Sequence, residues 1–166
     1  VKDGKALVIS KYALDCRQYN TSWADVTWET CTLRNWLNND FINVAFSAYE
    51  KAMIPTAAVS ADKNPDYSTN PGNATLDRVF LLSITEANKY FSSDSARQCE
   101  PTDYAVACGA YVNSSNGNCW WWLRSPGFDQ LRAAGVDCDG LVYEYGYDVY
   151  HDDIAVRPAL WIDLNS

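Results

Sequence analysis

Histidine is almost missing from this chain, basic residues are outnumbered, and no long apolar run interrupts it. His151 is the one imidazole, so no second one exists to complete a hydrolase triad or a zinc site, and neither G-x-S-x-G nor H-E-x-x-H occurs. The 13 Lys and Arg residues stand against 21 Asp and Glu, giving a net charge of −8 and a pI near 4.5. Neutralising a phosphate backbone takes a basic stripe, so nucleic acid is not an expected partner. No stretch of about eighteen apolar residues is present, so no helical membrane span is expected in this segment. The opening Val1-Lys2-Asp3-Gly4 has no signal-peptide pattern, and the chain reads as a piece of something longer. No internal repeat of fixed period occurs.

What is present is a core's worth of apolar residues. At 166 residues and 48% hydrophobic, the chain is long enough for one domain with a real interior and too short to expect two, so residues 1–166 are read as a single unit. The six cysteines, Cys16, Cys31, Cys99, Cys108, Cys119 and Cys138, include no C-x-x-C pair, and no structural metal is expected. They are either free core thiols or partly bridged, with Cys99 and Cys108 the candidate pair because both sit in a loop-like stretch. N-x-S/T sequons stand at Asn20, Asn73 and Asn113, and matter only in a eukaryotic secretory setting.

Along the chain, Lys5 to Tyr12 reads as an opening strand at a sheet edge or paired with the C-terminus, followed by a polar turn through Asp15 to Ser22. From Thr27 the spacing turns helical, with Cys31, Leu33, Trp36 and Leu37 on one face and Arg34, Asn35, Asn38 and Asn39 on the other. A short helix over Asp40 to Phe46 follows. Ser47 with Glu50 and Ser83 with Glu86 have the spacing of capping boxes, opening helices through Met53 and through about Tyr90. Ala58 to Asp77 is expected to be a long surface loop, Val79 to Leu82 a strand, Ser92 to Asp103 irregular, and Tyr104 to Val112 either strand or irregular. Asn116-Gly117 between apolar runs signals a hairpin, and Trp120 to Leu123 a strand. Gly135, Gly140 and Gly146 space out short strands, and Val156 to Leu164 closes the chain as one strand that Pro158 restricts on one side. The class expected is α+β, with early helices packed on a late twisted antiparallel sheet.

Two apolar stretches, Trp120 to Gly127 (WWWLRSPG) and Val156 to Leu164 (VRPALWIDL), bracket a segment of different character. Phe128, Asp129, Leu131, Arg132, Asp137, Asp139, Leu141, Tyr143, Tyr145, Tyr147, Asp148, Tyr150 and His151 fall in it. Tyrosine offers large contact area at low rotamer cost, and Asp and Gly add polar contacts and tight turns, the composition of a recognition surface. Tyr143, Tyr145 and Tyr147 repeat every second residue, so their rings share one strand face, a stacking platform if wet and core if dry. Trp120, Trp121, Trp122, Arg124, Arg157 and Trp161 are read as scaffold. The tryptophans are expected to alternate, with either Trp121 or the pair Trp120 and Trp122 in the core and the other side able to floor a binding site. Glu29, Asp40, Asp153 and Asp163 are the candidate partners of the two arginines. His151 beside Asp152 and Asp153 reads as a solvated loop rather than a catalytic pair.

KALVISKYALDC, TWETCTLRNWLNNDF, WWWLRSPG and VRPALWIDL together resemble a bacterial domain family of unassigned function, over essentially the whole chain. The last third is similar to the formylglycine-generating-enzyme-like branch of the C-type lectin fold, which the variable proteins of diversity-generating retroelements also use. That resemblance implies a fixed scaffold displaying a diversified patch. Ala155 departs from it, standing where a Gly is favoured before Val-Arg-Pro. The expected function is a non-enzymatic domain that binds a protein or glycan through the C-terminal patch, without cofactor, with oligomeric state open and a cell-surface or extracellular setting. An oxidase related to the formylglycine-generating enzyme, using Cys108, Cys119 or Cys138 with copper, and a structural module of a larger protein are the alternatives. The Trp-Asn-Asp motif of calcium-dependent sugar binding is missing, and Glu100-Pro101-Thr102 only echoes its companion.

Overall fold

The opening apolar run finds its partner at the opposite end of the chain. In the computed structural model, which describes residues 1–165, strand β1 (Lys5–Ile9) runs antiparallel to the last strand, Ile9 opposite Ala159 and Lys5 opposite Asp163. The strands between are β2 (Asp15–Cys16), β3 (Ala57–Val59), β4 (Thr75–Asp77), β5 (Val79–Phe80), β6 (Trp121–Pro126), β7 (Arg132–Val136), β8 (Val142–Asp148) and β9 (Ala155–Val156), with β10 (Ala159–Asp163) closing the series. They form a three-stranded sheet in the order β1-β10-β5, a five-stranded sheet in the order β2-β9-β6-β7-β8, and the small ladder β3-β4. The fold is mixed α and β, with several sheets and few, short helices.

Two expectations about the sheets change. The stretch from Val156 to Leu164 is not one strand but two, in different sheets. Pro158 has no N–H to give a ladder, the chain bends there, and its carbonyl accepts from Ser10 N–H at 3.0 Å. The five-stranded sheet is also not purely antiparallel, since β6 and β9 run parallel with Trp121 opposite Ala155. Residues 58–77 are not all loop: β3 and β4 pair at their two ends, Ala57 opposite Asp77.

Both neighbours of β7 bulge past Ala134. Register jumps from Trp122 opposite Gly135 to Pro126 opposite Ala133, and from Tyr143 opposite Gly135 to Tyr147 opposite Ala133. The first bulge lets Arg124 N–H reach Leu82 O at 2.9 Å and Ser125 Oγ accept from Ile84 N–H at 3.0 Å, tying β6 to the start of a helix. In the second, Gly146 sits at φ 85°, and an added Cβ would lie 2.8 Å from Ala133 O and 2.9 Å from Gly127 Cα.

The helices are α1 (Thr32–Trp36), α2 (Ile42–Ala45), α3 (Ala48–Met53), α4 (Ile84–Tyr90), α5 (Asp94–Arg97) and α6 (Asp103–Ala107), with a π-helical turn over Leu37–Phe41 joining α1 to α2. Both expected capping boxes form, at Ser47 with Glu50 and Ser83 with Glu86. Ser93 and Thr102 cap α5 and α6, two helices that the sequence did not announce because each is little more than a turn. Asn38 does not face out. Its amide donates to Arg34 O and Val79 O and accepts from Arg78 and Val79 N–H, clamping the π turn to β5. Arg34 likewise turns inward to Asp77, whose buried carboxylate also takes Trp28 Nε1 at 2.9 Å and Thr75 Oγ1 at 2.6 Å. The 113–118 segment makes a turn, Gly117 N–H donating to Asn113 O, but no strand precedes it, so the Asn-Gly signal marks no β-hairpin.

The core runs through both sheets. Leu33, Leu37, Leu81, Ile84, Trp121, Trp122, Leu123, Val136 and Ile154 are among its fully buried side chains. Trp121 and Trp122 are both at 0% exposure, so the expected alternation fails for them. β6 lies inside its sheet with structure on both faces, and a strand covered twice has no wet side.

Candidate functional site

β8 is the outer strand of the five-stranded sheet, and its tyrosines lie in a band of rings in mutual contact. Tyr143 lies 6.1 Å from Tyr145 and 4.9 Å from Tyr147 between ring centroids, so the three share one face as their period-two spacing predicts. The rings continue in both directions. Tyr145 stacks on Phe128 at 5.2 Å and 14°, and Tyr67 meets both edge-on at 6.1 and 5.3 Å. At the other end Tyr147 stacks on Trp120 at 5.5 Å, and Trp120 on Tyr111 at 4.4 Å. Each such pair contributes about 0.5–1.5 kcal/mol beyond the area it buries, so the band is held in place before any ligand arrives.

Exposure grades along it. Phe128 (49%), Tyr143 (42%) and Tyr145 (40%) are open to water, whereas Tyr147, Trp120 and Tyr67 are half-buried. Burial pushes the Tyr147 phenol well above the usual tyrosine range, with Asp137 adding to the shift. Two shallow depressions flank the band. One, of about 460 Å³, is floored by Trp120, Tyr143 and Tyr147 and edged by Arg132, Asp137 and His151. The other, of about 490 Å³, lies against Tyr67 and Phe128 and is edged by Asp25, Asp66 and Asp129.

Arg132 belongs to the band itself. Its guanidinium lies 5.2 Å from the Tyr145 ring centroid and pairs with Asp129 at 2.6 Å and Asp148 at 3.3 Å. The other predicted site residues have different employment. Asp137 Oδ1 accepts from Asp139 and Leu141 N–H, both at 2.9 Å, forming the β7–β8 turn, and Asp139 Oδ1 takes the Asn116 amide at 3.1 Å. Leu141 is exposed at that turn, and Leu131 is half-buried, its carbonyl accepting from Val149 N–H. Tyr150 is exposed but makes no ring contact with the band among the described residues, and His151 Nδ1 lies 3.2 Å from Asp153. The structure therefore gathers Phe128, Asp129, Arg132, Tyr143, Tyr145, Tyr147 and Asp148, and leaves Asp137, Asp139, Leu141, Tyr150 and His151 at the turns beside them.

Two members were not legible as site residues: Tyr67 lies in the expected surface loop and Tyr111 in the ambiguous stretch. Trp120, read as scaffold, is on the side of the tryptophan triplet that floors the depression. The loop is delivered by Asn64, which is buried and donates to Pro126 O at 2.8 Å and Glu144 O at 2.7 Å, and by Thr69 Oγ1, within bonding distance of Gly127 O and Phe128 O. The signal available was a single buried Asn in a polar run, which nothing in the sequence distinguishes from its neighbours. Burial raises the Glu144 carboxyl above the ordinary range, and the charge of Asp66 adds to it.

The scaffold arginines are buried, but with other partners than those expected. Arg124 pairs with the Glu86 carboxylate, lies 3.5 Å from Asp62, and donates to Ser60 O and Leu81 O. Among the described residues Arg157 has no carboxylate partner. It donates to Ser10 O and Arg97 O and lies against the rings of Phe91 and Trp121, at 5.1 and 4.9 Å. Burial lowers its pKa. Among the described residues Glu29, Asp40 and Asp153 are paired with neither arginine, because the β6 bulge carries Arg124 to the start of α4 and the bend before Pro158 turns Arg157 onto backbone carbonyls. Asp163, the fourth expected partner, accepts from Asn165 N–H at 2.9 Å. Trp161 is half-buried on β10.

All six cysteines are free thiols. The Cys99–Cys108 pairing does not form, since α6 intervenes and leaves Cys108 exposed at its C-terminal end. Cys99 instead accompanies Cys119, whose Sγ lies 3.3 Å from Cys99 O and whose N–H donates to the same carbonyl at 2.9 Å. Burial and the hydrogen bond to Cys99 keep the Cys119 thiol protonated. Cys138 accompanies Asn113, at 3.0 Å, and Cys108 borders a depression with Cys16. Among the described residues no three His, Cys, Asp or Glu side chains converge on a point able to hold a metal ion. Asn20 is buried and its amide bonds to Ser22, which makes that sequon a structural one. Among the described residues no helix is long and apolar enough to cross a membrane.

No curated protein and no solved structure matches the chain. A family does, from residue 3 to residue 164, so nearly the whole sequence, brackets and band alike, falls inside it. The chain belongs to the family described as Domain of unknown function (DUF6273).

Proposed function

We propose that this is a non-enzymatic ligand-binding domain whose contact surface is the aromatic band, on a scaffold of C-type-lectin-like type. One observation carries the proposal. Phe128, Tyr143 and Tyr145 are each at least 40% exposed while their rings are packed against one another, so large apolar area is presented in a fixed arrangement. Pre-ordered aromatic side chains lose little rotamer freedom on binding and are frequent energetic centres of protein and glycan interfaces. Arg132, Asp129 and Asp148 add polar groups at its edge.

The test compares wild type with Tyr143→Ala/Tyr145→Ala on peptide and glycan arrays, with thermal unfolding followed in parallel. Wild-type signals that disappear in the variant while it still unfolds in one cooperative thermal transition support the proposal. Retained signals, or a variant that loses stability without losing binding, favour a structural module instead.

A further inference from the structure

We propose that the band's ligand is a cationic, extended polypeptide segment bearing Arg or Lys at alternate positions; this rests on the band being the binding surface. Three observations point the same way. The chain already places a guanidinium on the band, since Arg132 lies over Tyr145 between Asp129 and Asp148, and so displays the contact that an incoming cation would repeat on Tyr143 and Phe128.

The charge of the surroundings is predominantly negative. The depression against Tyr67 and Phe128 is edged by Asp25, Asp66 and Asp129 with no Lys or Arg in its lining, and Asp25 and Asp66 have no ion-pair partner among the described residues. Arg132 alone opposes them, and it is shared between Asp129 and Asp148. The rise of the Glu144 carboxyl, in part from Asp66, reflects the same excess of negative charge.

Spacing completes the match. Consecutive rings along the band are 4.4 to 6.1 Å apart. Same-side residues of an extended peptide recur about every 6.6–6.8 Å, close to the 6.1 Å between Tyr143 and Tyr145, so cations at alternate positions address neighbouring exposed rings, whereas Trp120, stacked between Tyr111 and Tyr147, offers them no face. A neutral glycan would stack on the rings and donate hydroxyls to the carboxylates but gain nothing from their charge, and an anionic partner would be repelled by them.

The experiment titrates the protein, by calorimetry, with an alternating Arg-Gly peptide, its Glu-Gly counterpart and a neutral β-linked oligosaccharide. The Arg-Gly peptide is expected to bind, to weaken about tenfold as NaCl rises from about 50 to about 500 mM, and to leave the Glu-Gly peptide without measurable binding. Tyr143→Ala/Tyr145→Ala does not alter net charge and should weaken the peptide about tenfold, as should Asp25→Asn/Asp66→Asn. The charge-matched control Asp3→Asn/Asp40→Asn, outside both depressions, should not. Peptide binding that ignores the tyrosine substitution, or responds equally to the control, is diffuse attraction to an acidic protein and overturns the inference. Ring-dependent binding of the oligosaccharide without the peptide also overturns it while leaving the band intact as the site. If no probe's binding depends on the rings, both readings fall together.

Discussion

Two aromatic regions of this chain, some twenty residues apart in sequence, behave in opposite ways. Trp121 and Trp122 sit inside the five-stranded sheet at 0% exposure, their indole N–H groups bonded to Arg97 O and Arg17 O. Tyr143 and Tyr145, on the outer strand of the same sheet, keep about two fifths of their surface in water. The difference is one of position in the sheet. An inner strand has neighbours on both edges and cover on both faces, whereas β8 has an edge and a face left over. Aromatic content alone therefore says nothing about role; the number of sides already covered does.

The largest expected contrast is in stability. Trp122→Ala should cost about 3–5 kcal/mol, and Tyr143→Ala, which gives up two ring contacts but little buried area, about 1–2 kcal/mol, in denaturant unfolding. Equal losses would erase the distinction between the regions. Next, Arg124→Met leaves the Glu86 and Asp62 carboxylates without their partner near the β6 bulge, and should cost about 3 kcal/mol. Glu86→Gln in the same background should recover part of it, which the double-mutant cycle measures.

A smaller effect appears at alkaline pH. Burial holds the Cys31 and Cys16 thiols at about 12 in the folded chain, against about 9.0 when free. Above pH 9 the unfolded thiols release protons that the folded ones keep, so stability falls as pH rises from about 9 toward about 12. For fully buried Cys31 the loss is about 1 kcal/mol by pH 10. Cys31→Ala should flatten that limb of the stability–pH curve, and an unchanged slope would contradict the burial argument. Smallest of all, a thiol reagent should modify exposed Cys108 first and leave Cys31 intact until the chain unfolds.

Local chemistry made much of this legible. Ser47 with Glu50 and Ser83 with Glu86 announced their helices, since a capping box depends on residues three apart. The strand at Lys5–Ile9 and the shared face of Tyr143, Tyr145 and Tyr147 also followed from short-range pattern, whereas the choice of the C-terminal strand as the partner of Lys5–Ile9 was left to the tertiary structure. What failed had non-local causes. Asn38 looked like an outward helix residue until the π turn carried it against β5. Residues 58–77 looked like a passive loop, yet Asn64 fastens that stretch to the β8 bulge and brings Tyr67 onto the band.

The sequence by itself determined which residues are aromatic, which helices are capped and which strand carries tyrosines at every second place, because each depends on neighbours within a few positions. Tertiary structure alone decided that Trp121 and Trp122 are both dry, that Arg124 meets Glu86, and that Tyr67, Phe128, Trp120 and Tyr111 join the tyrosines of β8 in one surface. Those outcomes depend on two bulges past Ala134 and a sheet change at Pro158, where long-range pairing chooses among conformations that local pattern leaves nearly equal in energy.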